Sequence, residues 1–451
     1  MKKAIAEVLD LIPHDSQRLR GITVEAARAR LLASDAERTV GDLAGSYALV
    51  ARQGEKVALA RSLDRPLRYF LAKVPAGPML IVAERLDEIR DALALRGLGS
   101  QFHPSYSRMV PAFHVTRIAL VGCPDPNPQY LRAFDPPRGV LPPDLDRIGE
   151  AYVGALLAEV RSWLAAQEES APIGVLFSGG IDSGAVLLAL NHALLAGGQS
   201  PARLKAFTLA VDGGGADAAQ ARDFLRRTGL ELLGETIDAL GSELDALAAV
   251  EVIEDYKPLD VECAAVTLAL ARGIRARYPD WRLLADGDGG DENLKSYPIE
   301  EGSELTIRSV VGNPLLYQQG WGVEAIKHSL TYSGGLSRGC VRGYAPLSRY
   351  GFRGFSPFTA PGVLRVAEAI PFDRLTEGSV ERLYAIKGEV VARGVRRLLG
   401  VELPVYPKRR FQRGAMPEAL FRRAFALGEP AYRAHLARHF APGPGSGAAG
   451  H

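Results

Sequence analysis

Two short stretches concentrate side chains that can do chemistry. They are Ser178-Gly179-Gly180-Ile181-Asp182-Ser183 and, about a hundred residues on, Asp286-Gly287-Asp288-Gly289-Gly290-Asp291-Glu292. In the first, the glycines permit backbone conformations that a Cβ forbids. A turn of this kind entering a helix presents free backbone N–H groups where the helix dipole also favours negative charge. It reads as a seat for an anion. A polar helix cap would use the same residue types, but capping needs neither both glycines nor both serines. No Lys follows the glycines, so this is not the GxxxxGK[ST] loop of the usual nucleotide triphosphatases. Asp182 would repel a phosphate there unless a cation sat between them.

The second stretch supplies the missing logic. Asp182 from one loop and Asp291 from the other could share a Mg²⁺ that carries a triphosphate. A calcium loop of EF-hand type is a rival, but the D-x-D-x-G-D spacing breaks its pattern and no helix precedes it. A solvated acidic loop is the plainer alternative. In a third stretch, Lys408, Arg409, Arg410 and Arg413 cluster beside Phe411. They could neutralise charge on a departing pyrophosphate, or form a solvated basic loop.

Such loops need a scaffold that brings them together. Ile173, Val175, Leu176 and Phe177 read as a buried strand, and Val186, Leu187, Leu190 and Leu194 then recur along one helix face. Further strands are expected at 203–211, 231–237 and 281–287, with helices at "AQARDFLRRTG" and "VECAAVTLALARGIRARY". This alternation implies βαβ units and a parallel sheet, with both loops at the carboxyl ends of strands, where ligands bind. Upstream, "GSYALVARQGEKVALARS" and "LRYFLAKVPAGPMLIVAE" alternate apolar and polar residues as antiparallel strands do. The proline-rich "FDPPRGVLPPDLDR" reads as a linker. The expected organisation is a β-rich domain over 1–135, a linker over 136–148, an α/β domain over 149–440 and a disordered tail, or a remnant of cloning, over 441–451. From about residue 300 the chain reads as mainly helical with long loops.

Composition narrows the class. With 451 residues there is chain for two or three domains and a large core. A formal net charge of +2 gives no argument for nucleic acid or an acidic membrane as partner. Cys123, Cys263 and Cys340 stand far apart without CxxC spacing, so neither a zinc site nor a disulfide framework is expected, and a reducing compartment is. Glu7 and Asp10 interrupt the apolar run that a signal peptide needs, and no stretch approaches a membrane span. The expectation is a cytoplasmic protein, and a homodimer is left open.

"SGGIDS" followed by "DGDGGDE" resembles the paired signature of the asparagine synthetase and β-lactam synthetase superfamily, the N-type ATP pyrophosphatases. "GSYALVARQGEKVALARSLDRPLRYFLA" resembles the amino-terminal-nucleophile (Ntn) glutaminase half of that family, and "LYAIKGEVVARGVRRLLGVELPVYPKRRF" its late lysine-bearing segment. The resemblance spans most of residues 41 to 415. It implies an Ntn-hydrolase-like β-rich domain and an adenine-nucleotide α-hydrolase-like parallel-sheet domain with a helical C-terminal part. It also implies a reaction: ATP and Mg²⁺ adenylate a substrate carboxylate, pyrophosphate leaves, and an amine attacks to give an amide or lactam. By the same resemblance, Ser178, Gly179, Gly180, Asp182, Ser183, Gly287 and Gly289 meet the phosphates, and Asp182 with Asp291 hold the metal. Lys408 is the charge-stabilising catalytic lysine, and Lys387 is a further candidate. The adenine would lie near the end of the strand at 203–211. The partners implied are a small-molecule or peptide carboxylate and an amine, with no nucleic acid.

Two departures qualify the resemblance. Family glutaminases need a cysteine directly after the initiator methionine, and Lys2 stands there, so glutamine is not expected as nitrogen donor. Where asparagine synthetases carry a catalytic glutamate in a GxEARxPF segment, "YGFRGFSPF" places Arg353, a permanent cation that cannot serve as base. Tyr332, Tyr344 and Glu389 are the substitutes considered. Ammonia, an amine in the same substrate and a peptide amine remain open as donors. Two other readings remain: an ATP pyrophosphatase acting on RNA or a nucleotide, and a catalytically inactive partner protein.

Overall fold

The computed structural model describes residues 3–118, 120–121, 128–296, 299, 306–312, 339–407 and 411–441. Cys123, Tyr332, Lys408, Arg409, Arg410 and nearly all of the expected 441–451 tail lie outside them.

The described residues from Lys3 to Phe134 include a layered lobe with two four-stranded sheets. One is antiparallel and built from Gln129–Arg132, His114–Ile118, Lys56–Arg61 and Ala48–Gln53, in that order. The other runs Glu7–Asp10, Met79–Ala83, Arg68–Ala72 and Arg108–Met109. The period-2 geometry of a strand divides the side chains. Ala48, Val50, Leu80 and Val82 pack between the sheets. Leu49 and Ala51 face the helix Val24–Leu32, while Ile81 and Ala83 face the helix Leu86–Leu95. Both faces of each sheet are therefore covered. That explains why "MLIVA" is continuously apolar where half-buried strands were expected to alternate.

The second region is built on a five-stranded, all-parallel sheet: β1 Ile173–Leu176, β2 Leu204–Val211, β3 Gly234–Ala239, β4 Leu283–Ala285 and β5 Arg353–Phe355. Its spatial order is β3-β2-β1-β4-β5. Helices α1 (Leu145–Leu164), α2 (Ile181–Ala196), α3 (Ala216–Thr228) and α5 (Val380–Leu399) cover one face, and α4 (Pro258–Arg277) covers the other. At Gly174 of β1 an added Cβ would lie 2.5 Å from Leu284 and 2.6 Å from Phe207, so this position must be bare. α1 and α5 cross at Gly149 and Gly394, where a Cβ on either would meet the other's backbone.

Several expectations need correction. α1 begins at Leu145, capped by Asp144, so the helix already occupies the last residues assigned to the linker. β3 starts at Gly234, because residues 231–233 close a 3₁₀ turn first. α2 is buried nearly all round rather than along one face, being enclosed by the sheet, α1 and α5. β5 falls in the part expected to be helical. With only Arg-Gly-Phe it is too short to show a pattern, and it is held by its parallel register with β4.

The two regions are tied by buried ions. Glu254, at φ 51°, accepts from the N–H of Leu86 and Asp87 at 2.8 and 3.2 Å, capping a helix of the first lobe from the second. It also pairs with Arg68, and both side chains are 2% exposed. Beside it Arg65 pairs with Glu84, whose other oxygen accepts from Tyr344 Oη at 2.8 Å. Removing one partner from such a buried pair typically costs about 3–5 kcal/mol, because the other charge is left unpaired. Glu254→Ala is therefore expected to lower unfolding stability by about that much. Thermal and denaturant unfolding check this, and an unchanged midpoint would show that the seam does not depend on Glu254.

Candidate functional site

The strand order reverses direction at β1, so the crevice between β1 and its neighbour β4 is the topological switch point of the sheet. The Ser178–Ser183 turn follows β1, and the Asp286–Glu292 turn follows β4. The register pairs Val175 with Ala285, so the two loops leave the sheet side by side.

Their contact is intimate because glycines allow it. A Cβ at Gly287 would stand 2.7 Å from Ser183 N, and one at Gly290 would stand 2.2 Å from Asp182 Oδ1. Gly179 has φ +71°, with Ala221 backbone 2.8 Å from where its Cβ would be. Gly289 has φ +96° and starts the short helix Gly290–Asn293. Gly180 begins α2 with no side-chain cap on the helix's first N–H groups. Within the first turn, Ser178 Oγ and Ser183 Oγ stand 3.3 Å apart, and Gly180 N donates to Ser178 Oγ at 3.3 Å. The acidic turn is braced from behind. Asn293 Nδ2 donates to Phe358 O at 2.8 Å and meets Tyr152 Oη at 3.2 Å, and Tyr152 stacks on Phe358.

Asp182 and Asp291 converge on one cation, the Lys387 ammonium of α5. Its Nζ donates to Asp182 Oδ2 at 2.5 Å and to Asp291 Oδ1. Burial works against the ammonium, but the two carboxylates outweigh it and hold its pKa above the usual lysine range. Lys387 is 9% exposed, against 19% and 35% for Asp182 and Asp291. A signal for it stood in the sequence. Leu383, Ile386, Val390, Val391 and Val395 form the buried stripe of α5, and Lys387 lies within that stripe. Half-buried Arg342 donates to Asp260 at 3.3 Å. It stays charged against burial because Cys263 and Asp260, with Asp288 and Glu292, favour its cation. Asp286 is pushed up to about 6 by burial, opposed by hydrogen bonds from Ser356 and the Asp288 N–H.

The structure thus brings Ser178, Gly179, Gly180, Asp182, Ser183, Gly287, Gly289, Asp291 and Lys387 together, and adds Gly290 and the Tyr152–Asn293 brace. Gly287 earns its place by loop-to-loop contact. Arg353 and Tyr344 stand elsewhere. Arg353 begins β5, in register with Leu283, at the end of the strand away from the loops, and it lines a cavity between the lobes. Tyr344 turns its hydroxyl to Glu84 and its ring to Arg65, and burial pushes it up to about 12. Glu389 is on the exposed face of α5, paired with Arg393 at 3.1 Å. Lys408 lies outside the described residues. The chain before it is held to α3 by Tyr406 Oη and Asp223 at 2.7 Å, and the chain after it to β2 by Val211 N and Ala415 O at 3.1 Å.

No described helix is long and apolar enough to cross a membrane. No curated protein matches the chain. The asparagine synthase family matches residues 160–325, a span that contains both turns and ends before β5 and α5. With the paired turns at the switch point and this match over the strands that carry them, the chain carries an asparagine synthase domain over residues 160–325.

Proposed function

We propose that the protein is an AMP-forming carbon–nitrogen ligase that activates a substrate carboxylate with Mg²⁺–ATP and passes the acyl group to an amine. The observation that carries this reading is the convergence of Asp182, Asp291 and Lys387 beside the uncapped start of α2. The donor set fits a divalent ion: two hard carboxylates face one centre, and both already need a cation there. When bound, Mg²⁺ would neutralise the phosphates between Asp182 and Asp291.

The chain's own groups account for the remainder. The Ser178 and Ser183 hydroxyls and the first N–H groups of α2 bind phosphate oxygens. Lys387 is near enough to follow the negative charge as it moves onto pyrophosphate, and Lys408 is proposed for the same charge. A carboxylate oxygen of the acid attacks the α-phosphorus, and the bond to the bridging oxygen breaks, so pyrophosphate leaves. An amine nitrogen then attacks the acyl carbon, AMP leaves, and the nitrogen gives up its proton. The β-rich lobe is proposed to be a glutaminase-like remnant, and its proposed boundaries are those expected from the sequence.

Product identity tests the reaction. With the right acid and amine, AMP and pyrophosphate are expected in equal amounts. ADP and phosphate from a competent preparation would contradict the reading. Glutamine is expected to be hydrolysed no faster than a blank, and turnover above that blank would contradict the reading of the β-rich lobe as a remnant.

The site's charge balance gives a second test. Lys387→Met leaves Asp182 and Asp291 facing each other, at an expected cost of about 1–3 kcal/mol, discounted for their partial exposure. Millimolar Mg²⁺ should raise the variant's melting temperature more than the wild type's. Because the folded pKa of Lys387 is raised, its contribution is complete below the ordinary lysine value and is lost only as pH rises through the higher folded one. The gap between variant and wild type should therefore be flat from about pH 6 to about pH 9. A gap that closes within that range would contradict the assignment.

A further inference from the structure

A cavity of about 630 Å³ lies between the two regions, large enough for a metabolite-sized ligand. Arg18, Tyr47 and Asp64 line it from the first lobe, and Trp163, Arg353 and Ser356 from the second. Its charges are unequally satisfied. Arg20 on the wall is paired with Glu159. Arg61 donates to the carbonyls of Val110, Leu63 and Arg65. Asp64 accepts from Ser46 and Ser62, each at 2.5 Å.

Arg18 and Arg353 are different. Arg18 is exposed, and its guanidinium reaches the backbone carbonyls of Asp15 and Gln17. Arg353 is exposed, and among the described residues no carboxylate pairs with its side chain. The pKa of Arg18 is lowered by burial and then by the cations of Arg353 and Arg65, with Asp15 offsetting part of this. Two guanidiniums, one from each lobe, thus share one cavity. Beside them the indole of Trp163 lies flat on Phe355, with ring centres 4.3 Å apart. Leu63 and Phe113 add further apolar wall.

We propose that this cavity binds a carboxylate-bearing molecule with an apolar body, its carboxylate bracketed by Arg18 and Arg353. The planar guanidinium fork matches a carboxylate through paired N–H···O bonds, which a lysine would not reproduce. The aromatic wall takes the remainder of the molecule. The cavity also borders the acidic turn. Thr359 lines it, and the Thr359 methyl lies 3.1 Å from where a Cβ of Gly289 would stand. Arg353 stands at the end of β5 away from the turns, so this carboxylate is not the one adenylated. Such a molecule enters the proposed reaction through a second carboxyl that reaches the turns, and that role rests on the adenylation reading. Binding itself does not, so it is measured without nucleotide.

Phenylacetate and its neutral amide, phenylacetamide, are the probes, titrated into the full chain by calorimetry. Phenylacetate should bind with a dissociation constant of about 1 mM or tighter, at least about tenfold below that of the amide. Arg18→Gln and Arg353→Gln should each weaken it by about tenfold or more, with Arg353→Lys recovering little. Both positions are exposed, so the variants should melt as the wild type does. Equal binding of acid and amide, no binding at about 20 mM, or undiminished binding by the double variant would overturn the proposal.

Discussion

Two carboxylates held close together need a cation, and the centre of this structure is arranged around that requirement. Asp182 sits in the first turn of α2 and Asp291 in the short helix after β4, and the pairing of β1 with β4 forces the two loops together. Lys387 arrives from α5, more than ninety residues later in the chain, and joins both. The glycines belong to the same constraint. A side chain at Gly287 or Gly290 would part the loops and leave each acid without the other, removing the shared cation site.

Much of this arrangement was legible in the sequence, and the parts that were not have physical reasons. Gly-rich turns after apolar runs mark strand-to-helix loops, so both turns and the strands before them were found, with ends off by a few residues. β5 was missed because three residues carry no periodicity and only their register with β4 makes them a strand. The convergence of Asp182 with Asp291 follows from the parallel sheet. That Lys387 completes it does not, because a lysine on a buried helical stripe announces burial but not its partner. Arg353 aligned with a catalytic glutamate by motif, yet strand position decides reach. It sits at the start of β5, while the turns lie at the other end of the sheet.

The β-rich lobe contributes in a different way. Its sheets are covered on both faces, so it holds its own shape, and Glu254 fixes it to the α/β region by capping one of its helices. A buried ion pair at that seam is costly to form and costly to break. The lobe thereby supplies one wall of the interlobe cavity, while the Ser178–Ser183 and Asp286–Glu292 turns, the proposed seat for phosphates, belong wholly to the α/β region.

The central claim is that the two turns act as one seat for Mg²⁺ and ATP phosphates. It is tested most directly by calorimetric titration of ATP, with and without Mg²⁺, into the wild type, Asp182→Asn, Asp291→Asn and Gly290→Ala. Magnesium-dependent binding is expected in the wild type, and each variant should weaken it by about tenfold or more, since each removes a charged contact or parts the loops. ATP binding that is equally tight and equally magnesium-dependent in all four proteins would contradict the account.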